Sequence, residues 1–133
     1  MLEGETNLDQ ILKTLSPELN PGEYIFHSTK DPSQFDAKDI VGLFKEKEGV
    51  TVIVSRELAD RKKIPYKFIA SWITLNVHSS LDAVGLTSAF STALAKENIS
   101  ANVMAGYYHD HIFVAKEDAD KAMMALRQLS KNS

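Results

Sequence analysis

The sequence predicts an α+β protein made of two related halves, and three observations predict it. Strand-like alternation recurs beside helical periodicity, most clearly where Ser71 to His78 (SWITLNVH) alternates and Asp82 to Glu97 then carries Leu86, Ala89, Phe90, Ala93 and Leu94 on one helical face. The same order of elements, strand, connection, hairpin and helix, appears twice along the chain. Finally, Ile53 to Lys62 (IVSRELADRK) aligns with Phe113 to Ala122 (FVAKEDADKA). The alignment matches Val54 with Val114, Glu57 with Glu117, Ala59 with Ala119 and Asp60 with Asp120, and sets basic Arg56 and Arg61 over Lys116 and Lys121.

Each element has a local reason. Leu8, Ile11, Leu12 and Leu15 recur at helical spacing, and Thr6 with Asp9 resembles a capping pair, so Thr6 to Leu15 reads as a short helix that Pro17, Asn20, Pro21 and Gly22 end. Glu23 to His27 is a strand, and the polar run Ser28 to Lys38, with Asp31-Pro32, is a loop. Ile40 to Lys45 and Val50 to Ser55 form a hairpin around Glu46-Lys47-Glu48-Gly49, followed by a short helix, Arg56 to Lys63, closed by Pro65. In the second half the helix over Asp82 to Glu97 ends at Asn98, a residue suited to a left-handed stop. Ile99 to Ala105 and His111 to Ala115 are strands joined around Gly106 to Asp110. The last helix, Lys116 to Leu129, stripes Ala119, Ala122, Met123, Leu126 and Leu129, with acids at its start and bases at its end. Upstream, the first strands end alike, in His27-Ser28-Thr29 and His78-Ser79-Ser80, and the first connection is the shorter one, without the long helix.

Composition narrows the function. At 133 residues, 44% hydrophobic and 25% charged, the chain suits one ordinary core or two small ones. The net charge of -3 and the scattered basic residues argue against a phosphate-backbone partner. The longest basic run, Arg61-Lys62-Lys63, sits beside Asp60 where it complements a helix end. With no cysteine, disulfides, thiolate metal sites and thiol nucleophiles are all excluded. The acidic start MLEGETNLDQ does not look like a secretory signal, and no window has the length of a transmembrane helix, so a cytoplasmic protein without a membrane partner is the expectation.

Three places could carry chemistry. His109 and His111, two apart in GYYHDHIFV, would share one face of a strand as metal ligands do, yet no further ligand is recognisable at a useful spacing. The other reading makes Tyr108-His109-Asp110 the tip of a hairpin, with Ile112 and Val114 in the core. His78-Ser79-Ser80-Leu81-Asp82 holds a base, a nucleophile and a carboxylate too close in sequence for a hydrolytic triad, and capping of the next helix explains it as well. Gly85 falls within the first turn of the 82–97 helix despite its helix cost. It serves either close packing against a strand or the approach of a small ligand, such as an amino acid, to unpaired amides.

The run Trp72 to Leu129, with its strand, DAVGL turn, helix ending in KENIS, HIFV strand and EDADKAMMAL helix, resembles an ACT domain, the small regulatory module of aspartokinases and other amino-acid enzymes. The longer segment SWITLNVHSSLDAVGLTSAFSTALAKENISANVMAGYYHDHIFV is similar to a standalone bacterial ACT-like family. The resemblance implies a ferredoxin-like fold of βαββαβ type, an antiparallel sheet with helices on one face. It implies two tandem ACT-like halves, a degenerate one over 1–68 with the leading helix and a second over 69–133. It further implies a dimer and an amino acid bound near the turn of Ser80, Asp82, Ala83, Val84, Gly85, Leu86 and Thr87, with Ser100, Ala101 and Asn102 as the facing wall. His109, read from the HDH motif itself, is a further candidate ligand contact. ACT modules usually regulate a catalytic domain on the same chain, and these residues hold none. The expected role is therefore a non-catalytic regulatory protein without a cofactor, acting on a separate partner. The alternative is an ACT-fold interaction module that binds no metabolite.

Overall fold

A computed structural model of the chain describes residues 7–77 and 84–132. In chain order its elements are α1 (Leu8–Lys13), β1 (Ser16–Leu19), β2 (Tyr24–Thr29), β3 (Gly42–Lys45), β4 (Val50–Ser55), α2 (Arg56–Arg61), β5 (Ala70–Asn76), α3 (Leu86–Lys96), β6 (Asn102–Ala105), β7 (Asp110–Ala115) and α4 (Ala119–Lys131). They pack as two units. One is contiguous, Pro21–Ala70; the other is composite, the described residues of Met1–Asn20 together with those of Ser71–Ser133.

In the composite unit the strand order is β1-β5-β7-β6, with β1 antiparallel to β5 and β6 antiparallel to β7. Alternation along the strands points Ile73, Leu75, Ile112 and Val114 into one core with Ile11 and Leu12 of α1, Phe90 and Leu94 of α3, and Met123 and Leu126 of α4. The helices therefore cover one face, as their apolar stripes require. Read from β5, the order is strand, helix, strand, strand, helix, and the strand that completes the ferredoxin-type pattern is β1, supplied from upstream of the first strand rather than downstream of the last helix.

The contiguous unit orders its strands β3-β4-β2, with Tyr24 of β2 also paired to Ala70. Its core is smaller: Ile25, Val52 and Val54 from the sheet meet Leu58 and Ala59 of α2 and Phe35. Where the composite unit has α3, this unit has two short 3-10 turns, Pro32–Gln34 and Ala37–Asp39, the first capped by Asp31, whose carboxylate accepts from the Ser33 amide. It is a degenerate copy of the same plan.

The internal repeat is structural. A shift of 60 residues carries the β3/β4 pairings Gly42↔Ile53, Leu43↔Val52, Phe44↔Thr51 and Lys45↔Val50 onto the β6/β7 pairings Asn102↔Phe113, Val103↔Ile112, Met104↔His111 and Ala105↔Asp110. The two hairpin turns close alike, Glu46 N donating to Gly49 O at 3.0 Å and Gly106 N to His109 O at 2.9 Å. Each following strand buries the same three positions, Val52, Ile53 and Val54 in one copy and Ile112, Phe113 and Val114 in the other.

Several elements differ from their sequence expectation, each for a local reason. Ser16–Leu19 forms a strand despite Pro17, because among the described residues β1 pairs with β5 alone and a missing N–H costs nothing on its unpaired edge. Helix α1 is capped by Asn7, whose Oδ1 accepts from the Gln10 amide at 3.2 Å; Thr6 lies outside the described residues. The last helix is preceded by a 3-10 turn, Lys116–Asp118, and runs on to Lys131. Asn98 does adopt the left-handed conformation, φ 60°, that stops α3. By packing, the leading segment 7–20 belongs with 71–132, since Ile11, Leu12 and Leu15 are buried in that core.

Ile11 is fully buried, so Ile11→Ala is expected to destabilise the composite unit by about 2–5 kcal/mol. Urea melts should show the loss, with amide protection falling in β5 and α4 and preserved in β2 and β4.

Candidate functional site

The turn that the ACT resemblance points to joins β5 to α3. Ser80, Asp82 and Ala83, like His78, lie outside the described residues. From residue 84 onward the geometry is defined. Gly85 is not inside the first turn of α3; it is the N-cap, at φ +94°, and its carbonyl accepts the first helical bond, from Ala89 N at 2.9 Å. That conformation explains the glycine directly, because an L side chain is strained there. A Cβ on Gly85 would in addition stand 3.1 Å from Cδ2 of Leu8. With no side chain on its N-cap, α3 receives no bond from Gly85 to its first-turn amides, and its macrodipole points there.

The neighbours of Gly85 divide by burial. Val84 is 84% exposed and Thr87 is exposed, whereas Leu86 is buried in the core and serves as the anchor of the helix start. Of the residues expected to form the facing wall, Ser100 is exposed, Ala101 packs part-buried against the core, and Asn102 opens β6 opposite Phe113, its Nδ2 donating to the Phe113 carbonyl at 3.3 Å. Leu86 and the residue before that wall, Ile99, are buried in the same cluster, so one core anchors both segments. Beside Gly85 a shallow groove of about 370 Å3 runs along α3 past Ser88, Thr92 and Lys96, flanked by Leu8 and Leu129; it is not lined by Ser100, Ala101 or Asn102.

The two histidines of HDH do different things. His109 closes the hairpin through its backbone carbonyl, and its side chain is exposed beside Tyr107 and Tyr108 at the tip. His111 is half-buried on the sheet face opposite the one that carries Ile112 and Val114. Trp72 Nε1 donates to its Nδ1 at 3.0 Å, and Thr74 Oγ1 lies 3.2 Å from the same nitrogen and accepts from Asn20 Nδ2 at 2.9 Å. An indole N–H only donates, so Nδ1 must accept and the neutral ring carries its proton on Nε2. The indole also lies nearly parallel to Phe113, 19° at 6.1 Å between centroids. Gly106 makes room for this arrangement, since a Cβ there would sit 2.9 Å from the His109 carbonyl and 3.3 Å from His111 Nε2. Among the described residues no three His, Asp or Glu side chains come together as a metal would need.

From sequence Asn20 reads only as part of a helix stop, and Thr74 only as one position of an alternating strand. Alternation in SWITLNVH does put Trp72 and Thr74 on one face of β5, but Asn20 reaches them only because β1 pairs with that strand. Burial holds the pKa of His111 below the ordinary imidazole value, aided by nearby His109 and opposed by Asp110; burial also raises the Asp110 carboxyl. A histidine whose folded pKa is depressed favours the unfolded chain once protonated. Its stabilising contribution is complete above the unfolded value of about 6.5 and is lost as pH falls through that value toward the folded one. Stability should therefore decline on acidification below about pH 6.5, and His111→Asn, whose side-chain oxygen can still accept from Trp72, should flatten that limb. Because Trp72 is the one tryptophan, its indole N–H resonance should titrate with His111 in the wild type and not in the variant.

Two family models described as ACT domain match the chain, one over residues 3–71 and the other over 67–128. No curated protein matches it. Among solved structures, a protein of unknown function from Vibrio cholerae, described as a possible transport protein, is 44% identical over 92% of this chain and 95% of its own, with a TM-score of 0.85. An aspartate kinase from Clostridium acetobutylicum shares the fold at 12% identity and a TM-score of 0.63, over 90% of this chain and 34% of the kinase. The regulatory subunit of aspartate kinase from Thermus thermophilus, in its ligand-free form, does so at 9% identity and a TM-score of 0.59, over 87% and 98% of the two chains. The chain is built of two tandem ACT domains and belongs to the ACT domain family.

Proposed function

We propose that this protein is a non-catalytic regulatory protein that binds a small molecule, an amino acid, at the turn between β5 and α3, and that it acts as a homodimer on a separate protein. The observation that carries the reading is the start of α3. A left-handed glycine N-cap supplies no side chain to the first-turn amides, and the helix dipole adds partial positive charge at the same point, a setting suited to a carboxylate. Exposed Thr87, Ser100 and Asn102 offer hydroxyl and amide groups to the rest of the ligand, and Asp82 is the candidate for its ammonium. His109, exposed at the hairpin tip, is the outermost candidate contact. The fold shared with aspartate kinase regulatory regions is consistent with this role. Binding would regulate by differential affinity: a ligand held at the domain or dimer interface favours whichever arrangement completes its contacts.

A second reading is an interaction module without a metabolite, and the observation in its favour is exposed aromatic surface. Phe44 on edge strand β3 is 65% exposed, and Tyr107 and Tyr108 are 58% and 69% exposed. A thermal-shift screen of the full chain against the twenty amino acids and common nucleotides separates the two readings. A reproducible, saturable rise in Tm with one amino acid sustains the sensor, and no shift with any compound favours the interaction module.

Gly85 is a poor probe of binding, because its backbone conformation makes any substitution a stability change as well. Gly85→Ala should cost about 1–2 kcal/mol in denaturant melts even without ligand. Thr87→Ala and Asn102→Ala test the site more cleanly. Each should weaken the amino acid selected by the screen roughly tenfold while shifting the ligand-free Tm little; unchanged affinity in both would move the site elsewhere.

A further inference from the structure

We draw no further inference here: the strongest candidate, the aromatic surface that Phe26, Phe44 and Phe68 give the sheet face of the contiguous unit opposite the one carrying Val52 and Val54, carries nothing, because nothing in the structure shows what covers it.

Discussion

The burial of Ile11, Leu12 and Leu15 against strands and helices from the far end of the chain is the constraint on which the composite unit depends. These side chains close the core between α3 and α4, and β1, the strand that follows them, occupies the edge of β5. That pairing brings Asn20 within reach of Thr74, and through Thr74 and Trp72 it orders His111 on the sheet face away from the helices. The same leading helix places Leu8 beside Gly85, so the start of α3 is framed by residues that precede it by most of the chain.

The two units show how a shared backbone plan takes on different chemistry. Their hairpins, β3–β4 and β6–β7, pair in the same register and close with the same turn bond, yet one tip reads Glu46-Lys47-Glu48-Gly49 and the other Gly106-Tyr107-Tyr108-His109. At the following junction one unit carries a guanidinium tied to Glu23 and Tyr66, the other a lysine. The helix that should follow the first strand survives only as two 3-10 turns in the contiguous unit. Features common to both copies therefore report on the fold, and features present in one alone are where a function specific to that unit is to be sought.

Much of the fold was legible because local patterns and tertiary demands agree. The stripes of α3 and α4, the alternation of β5, and the duplicated β4–α2 and β7–α4 segments all point the same way. Strand β1 was not legible, because Pro17 argues against a strand unless the strand is known to lie on an edge, and edge position is a tertiary fact. Gly85 was recognised as special, but for its position in a helical turn rather than for the positive φ of a cap, a distinction that one residue of boundary error conceals. Of HDH, the hairpin reading holds for His109, whereas the role of His111 depends on Trp72 and Thr74 across the sheet, which no spacing within the motif could show.

The connectivity also sets an order of events during synthesis. The contiguous unit, Pro21–Ala70, draws every strand and helix from one uninterrupted stretch and can pack as soon as that stretch is made. The composite unit is split around it: its leading helix and edge strand are translated first, and their partners follow only after the intervening unit is complete. Contacts between such distant segments close slowly, because the loop-closure entropy is spent before any of them forms. The apolar side chains of Ile11, Leu12 and Leu15 must therefore wait on the nascent chain for their partners, and of the two units the smaller, degenerate one is the first whose residues are all in place.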